Sequence, residues 1–230
     1  MLIRIKYGKT LEGKYLSHLD LMRAWERTIR RAKAPLAFSQ GFNPHPKISF
    51  ASALAVGTTS DGEYMDMELT EERNVDLLRE QLEHAMPPAI KLYEMVKIPD
   101  KSPALMSVVN RARYQLGVSL VEAVSQEQAD QVTEQFLNND LVNVLRFKKN
   151  SKEKREVNIR PGVIELNVEA TQDQLKIQML VQTGSEGNVR PEEVVYGLMA
   201  NGLPIVKKID YIHREGLYIM SDDGLKMPME

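Results

Sequence analysis

Two histidines and a row of arginines are the residues of this chain best suited to chemistry. Arg23, Arg27 and Arg30 recur at i, i+4 and i+7, with Arg31 beside them. On a helix this spacing stacks them on one face, opposite Leu21, Trp25 and Ile29. Guanidinium groups present several N–H donors in one plane and therefore suit phosphate oxygens. The same row could equally be a solvated face pairing with Asp20 or Glu26. His18 falls near the apolar stripe, either as a buried histidine bonded to backbone or as a general acid/base. His45 stands between Pro44 and Pro46 in Ser39-Gln40-Gly41-Phe42-Asn43-Pro44-His45-Pro46-Lys47. The prolines stiffen the backbone and keep His45 out of a helix, which preorganises a side chain that must meet a ligand. In that loop Phe42 could stack on a base and Lys47 could meet a phosphate, with the Asn43 amide close by. A rigid connector between two strands is the plainer use of the same residues.

A second basic run covers Arg146 to Arg155, six positive residues against one negative in ten positions. Lys148, Lys149 and Lys152 within it would serve as a nucleic-acid clamp, because exposed cations neutralise phosphates and release counterions. A solvated loop between strands is the commoner use of such a run. No metal site is expected: His18, His45, His84 and His213 are the only histidines, and no two of them stand at i, i+3 or i+4. There is no P-loop and no G-x-G-x-x-G, so no nucleotide cofactor is implied. Cysteine is absent, which excludes a disulfide framework, a thiolate nucleophile and a protein-held iron–sulfur cluster.

These residues need elements to position them, and the chain is long enough to supply them. At roughly 100–200 residues per domain, 230 residues make one large domain or two small ones. Hydrophobic residues at 43% and charged residues at 27% describe an ordinary globular chain. The net charge of −2 hides a split, +7 over residues 1–50 and −7 over residues 51–100. Such asymmetry marks either a basic face for an anionic partner or two layers that complement each other. No apolar run reaches the ~18 residues of a membrane span, and the N-terminus alternates apolar and charged residues, so a cytoplasmic protein that makes no membrane contact is expected.

Alternation in Leu2–Tyr7 predicts a strand, and Ser17 with Asp20 caps a helix that Pro35 ends. Strands follow at 48–56 and 63–69, joined by a turn containing Ser60-Asp61-Gly62, with Met65, Met67 and Leu69 inward. Asp66 and Glu68 then fall on the outer face as solvated carboxylates. A helix through Val75, Leu78 and Leu82 and a strand at 90–98 complete a βαββαβ order. Pro99 to Pro103 reads as a linker, after which the pattern restarts. Strands are expected at 113–120, 141–147, 163–168 and 175–182, with helices after Ser125 and at Pro191, and a closing strand and hairpin over 205–219. The expectation is an α+β chain of two ferredoxin-like βαββαβ sandwiches in tandem, residues 1–99 and 100–230, the second with an extra strand.

Three stretches carry a resemblance: Tyr15-Leu16-Ser17-His18-Leu19-Asp20-Leu21-Met22-Arg23, then Ser39 to Ala51, and Gly62-Glu63-Tyr64-Met65-Asp66, together with Asn158-Ile159-Arg160-Pro161. Across most of its length the chain resembles the radical-SAM-linked protein family, a bacterial domain of unknown function found fused to, or encoded beside, a radical-SAM enzyme. The resemblance implies that enzyme as a partner and an RNA-related role, often near genes for ribosomal proteins or RNA processing. Three functions are compatible with these observations. The leading one is an accessory protein that binds structured RNA through Arg23, Arg27, Arg30, Arg31 and Lys47, with Phe42 stacking. The second is an adaptor that docks the radical-SAM enzyme through the acidic residues 61–83 without touching RNA. The third is a metal-independent endoribonuclease with His18 or His45 as general base, which rests on fold analogy.

Overall fold

The computed structural model describes residues 1–147 and 153–230, so Lys148, Lys149 and Lys152 lie outside the described residues. The described chain is mixed α+β with five α-helices. It divides into two compact units, Met1–Asn110 together with Arg214–Glu230, and Arg111–His213.

The first unit contains β1 (Leu2–Lys9), α1 (His18–Arg31), β2 (Ile48–Phe50), β3 (Thr58–Glu68), α2 (Val75–Ala85), β4 (Ile90–Ile98) and the short α3 (Leu105–Val108). Strand β1 lies between β4 and β3, and β2 pairs with β3 through Ile48↔Met67 and Phe50↔Met65. Period-two alternation sends Ile3, Ile5, Tyr7, Met65 and Met67 into one core, where α1 and α2 add Leu21, Trp25, Ile29, Leu78 and Leu82. Trp25 is fully buried and stands edge-on to Tyr7, with ring centroids 5.2 Å apart.

Helix α1 begins and ends for local reasons. The Ser17 side chain accepts the Asp20 backbone N–H at 3.2 Å, and its hydroxyl donates to the Asp20 carboxylate at 2.6 Å. At the other end Lys33 takes a positive φ of 54°, so that its N–H bonds Arg30 O while the Ala34 N–H bonds Ile29 O. These two bonds satisfy carbonyls of the last turn, and Pro35 stops the helix from continuing.

The second unit contains β5 (Arg111–Leu120), α4 (Gln126–Asn138), β6 (Asn143–Phe147), β7 (Lys154–Asn158), β8 (Val163–Thr171), β9 (Gln174–Gln182) and α5 (Pro191–Ala200). Ser125 and Gln128 form a reciprocal capping box at the start of α4. The long strand β10 (Val206–Ser221) begins in this unit and ends in the first, where it pairs with β11 (Gly224–Lys226). With β10 at one edge, the strand order of the second unit is β10-β5-β9-β8. The strand expected at 141–147 does not join that path but forms a separate ribbon with β7. The pairs β1–β3, β1–β4, β2–β3, β5–β9, β6–β7, β8–β9 and β10–β11 are antiparallel.

The structure departs from the sequence reading at four places, each for a physical reason. Ser60-Asp61-Gly62 is not a turn but lies inside β3. Gly62 is needed there because a Cβ would collide with Gly216 and the Glu215 carbonyl of β10. Asp66 is not a solvated edge residue: it is buried and accepts two hydrogen bonds from Arg4, at 2.8 and 2.9 Å. Pro99–Pro103 does not separate the units but lies within the first, where Pro103 O accepts from Arg4 at 3.4 Å. Residues 214–230 return to the first unit, which no local pattern announces.

That return is held by a buried ionic cluster. Arg214 is 1% exposed and donates to both carboxylate oxygens of Glu63, through Nε at 2.7 Å and through Nη2. The Ser60 hydroxyl donates to the same carboxylate at 2.6 Å and lies 2.9 Å from Arg214 O. Lys9, also 1% exposed, donates to the carbonyls of Lys14 and Ala55 at 3.2 and 3.1 Å. Burial pushes the Lys9 ammonium down from its ordinary 10.5 to about 8, partly opposed by Glu63. Burial pushes the Tyr7 phenol up, with the Glu63 charge acting in the same direction. Tyr93 is pushed up to about 12 by burial and by its 2.5 Å hydrogen bond to Asp61.

Two outcomes are expected. Glu63→Gln should cost ~3–5 kcal/mol in urea unfolding, because it leaves the Arg214 charge buried without its counter-charge; the double variant Glu63→Gln, Arg214→Met should cost less than that. Between pH 8 and 10.5 the unfolded chain holds a Lys9 proton that the folded chain has released, so stability should rise with pH there. Above pH 10 the unfolded tyrosines ionise before Tyr7 and Tyr93 do, so stability should fall. Urea midpoints measured from neutral to alkaline pH should show the rise vanish in Lys9→Met and the fall shrink in Tyr93→Phe.

Candidate nucleic-acid interface

Arg23, Arg27, Arg30 and Arg31 are all exposed on α1, facing away from the buried stripe of Leu21, Trp25 and Ile29. At 1.5 Å per residue, Arg23 and Arg30 are roughly 10 Å apart along the axis. Their surroundings differ. Arg23 is 3.9 Å from Asp20, whose carboxyl is held below the usual range by the Ser17 hydroxyl and by the nearby Arg23 and Arg27. Arg31 donates to the Ala85 carbonyl at the end of α2, at 2.5 Å, where a cation complements the helix dipole. Among the described residues Arg27 and Arg30 make no ion pair or hydrogen bond with another side chain.

The 39–47 loop is anchored at its base. Ser39 N–H donates to His45 O, the Ser39 hydroxyl accepts the His45 N–H at 2.9 Å, and Lys47 N–H donates to Ala37 O. Phe38 and Pro46 form a bridge across this base. Beyond it Phe42 is fully exposed, and Asn43 and His45 are exposed as well. Lys47 is exposed and its ammonium pairs with Glu68 at 2.8 Å, because β3 places Glu68 directly beside the loop's return.

His18 is half buried and stands edge-on to Phe50 at 5.4 Å. Its Nδ1 is buried and has no hydrogen-bond partner among the described residues, so it is not the backbone-bonded histidine of the sequence reading. No hydrogen bond or ring contact joins His18 to His45. In the second basic run Arg146 is bound to Glu193 by two contacts of 2.6 Å and donates to Asn188 O, so it braces α5. Arg160 likewise serves structure, donating to Leu137 O at the end of α4. Among the described residues no cluster of three or more His, Asp or Glu is placed to hold a metal ion, and no helix is long and apolar enough to cross a membrane.

Sequence reasoning missed a groove of about 280 Å³ between α1 and the loop base. Ile29, Leu36, Phe38 and Pro46 form its apolar walls, and Glu26 and Arg30 stand at its rim. The signal was available only in part: Glu26 and Arg30 are one helical turn apart, but Phe38 and Pro46 reach them by tertiary folding. The second unit has a polar groove of about 330 Å³ lined by Glu169, Lys176, Asp210 and Tyr211, whose charges are matched internally, Lys176 to Glu169 and Lys208 to Asp210.

One solved structure is similar to this chain in fold. A chain of the crystal structure of a Cbf5-Nop10-Gar1 complex is similar over 92% of this chain at 10% identity, with a TM-score of 0.51; this chain spans about half of that one, 47%. An unknown protein from Galdieria sulphuraria aligns over 87% of this chain and 90% of its own at 12% identity, with a TM-score of 0.27. Curated proteins give no significant match. The profile of uncharacterized proteins conserved in bacteria (DUF2344) matches residues 2–191, most of both units described above, and the chain belongs to that family.

Proposed function

We propose that this chain is an accessory RNA-binding protein that works beside a radical-SAM enzyme, with the outer face of α1 on the phosphate backbone. One observation carries the reading: among the described residues the two opposite charge blocks of the first hundred residues meet in only two ion pairs, Asp66 with Arg4 and Glu68 with Lys47. Of the eleven carboxylates of the acidic block, four more are held in ion pairs with other cations, Glu63 with Arg214, Glu71 with Arg73, Glu72 with Lys97 and Glu83 with Arg79. The four arginines of α1 are exposed, and among the described residues Arg27 and Arg30 form no ion pair. A surface of this kind attracts an anionic polymer, and its affinity comes from counterion release.

The same pairing weakens the adaptor reading, since few carboxylates of residues 61–83 are left to offer a partner. The radical-SAM partner rests on the family resemblance; the lack of cysteine fits a division of labour in which a separate protein holds the cluster. We read each unit as ferredoxin-like because β4-β1-β3 with β2 beside β3, and β10-β5-β9-β8 once the β6–β7 ribbon is set aside, both follow a fourth-first-third-second order. Fold alone carries no reaction with it.

Filter binding of a structured RNA by the full chain over a salt series tests the reading. Wild type should bind at low salt with log affinity falling linearly in log salt. Arg27→Ala combined with Arg30→Ala should weaken binding and flatten the slope by roughly 1.5, at ~0.7–0.9 per phosphate contact. Stability should stay within ~0.5 kcal/mol, as both side chains are exposed. RNA binding that is undetectable, salt-independent or unchanged in the double variant would overturn the proposal.

A further inference from the structure

We infer that the groove between α1 and the base of the 39–47 loop is a pocket for one unpaired nucleobase of the bound RNA, favouring guanine. The inference rests on the RNA-binding reading above and deepens it, because the groove opens on the edge of the same arginine face.

Size limits the occupant. Ligand pockets for drug-sized molecules span ~300–1,000 Å³, and this groove of about 280 Å³ suits a single planar ring system. Its walls are apolar, and Phe38 presents a half-exposed ring in a wall that the Phe38–Pro46 bridge holds in place. An exposed ring on a backbone held in this way can serve as a stacking platform, and stacking accepts any base. The rim supplies discrimination. Glu26 and Arg30 are at i and i+4, the spacing at which opposite charges commonly pair on a helix, yet they form no ion pair here. A carboxylate acceptor and a guanidinium donor therefore stand side by side over an apolar slot. Guanine matches them: its adjacent ring N–H and amino group can donate to the two Glu26 oxygens, and its carbonyl oxygen can accept from Arg30. Uracil has one ring N–H and no amino group, so it leaves a carboxylate oxygen unmatched. A duplex end offers no splayed base, so paired RNA would use the arginine face alone.

Fluorescence anisotropy with the full chain separates these contributions, using short single strands of one base type each and a duplex of equal length. Wild type should prefer the guanine-bearing strand. Phe38→Ala should weaken single-strand binding ~5- to 150-fold, the range of one lost base stack, while duplex affinity and the salt slope stay unchanged. Phe38→Trp should retain single-strand binding, which separates stacking from folding. Glu26→Gln should erase the guanine preference without weakening the duplex. Equal single-strand affinity in Phe38→Ala, or an equal loss for the duplex, overturns the pocket while leaving the RNA-binding reading intact. A guanine preference that survives Glu26→Gln overturns the rim assignment. Quenching of Phe38→Trp fluorescence by a proline-rich peptide but by no single strand assigns the groove to a protein partner and overturns the inference. Failure of every RNA to bind removes the RNA-binding reading and the pocket together.

Discussion

Neutralisation of the β3 carboxylates is the constraint on which the rest of the first unit depends. Glu63, Asp66 and Glu68 lie along one strand, and each is matched by a cation from a different segment: Arg214 from β10, Arg4 from β1 and Lys47 from the end of the 39–47 loop. Two of the three pairs are buried, where an unpaired charge would be costly and a paired one depends on full hydrogen bonding. The bidentate geometry of Arg4 and Arg214 meets that condition. Such pairs add little net stability over apolar residues, but they admit few alternative partners. They determine which segments lie against β3.

Several features follow from that matching. The C-terminal strand must return to the first unit, since Arg214 belongs to it and Glu63 has no other cation of comparable geometry. Gly62 and Gly216 permit the backbones to approach closely enough for the return. Lys47 anchors the exposed loop instead of projecting from it, so Phe42 and His45 are displayed from a fixed base. Lys9 is buried beside this cluster, and that burial, together with the Arg214 charge, destabilises its ammonium although the Glu63 carboxylate is close.

The function argued above is a consequence of the same asymmetry. Arg4 and Lys47 of the basic block are taken up by Asp66 and Glu68, while Arg27 and Arg30 of α1 are left facing solvent. Helix α1 then has two unlike sides: a sealed apolar stripe around Trp25 and an open cationic one around Arg27 and Arg30. The groove lined by Phe38 sits where these sides meet, so an apolar platform and a charged rim occur within one helical turn.

Elements governed by short-range rules were legible from the sequence. Ser17 and Ser125 as caps, Pro35 as a stop, and the inward set Met65, Met67 and Leu69 all follow from backbone hydrogen-bond needs and side-chain period. The outward arginine row was legible for the same reason, since helical spacing alone sets which residues share a face. What the sequence could not show is which charges meet. Arg214 lies 151 residues from Glu63, and Arg4 lies 62 from Asp66. Nothing local distinguishes a carboxylate that will be buried against arginine from one that will be solvated, because the cost of desolvation arises only once distant strands cover it. Tertiary structure alone therefore decided that Asp66 is internal, that Lys47 pairs with Glu68, that Gly62 is an approach point and not a turn, and that Phe38 lines a groove with Glu26 and Arg30.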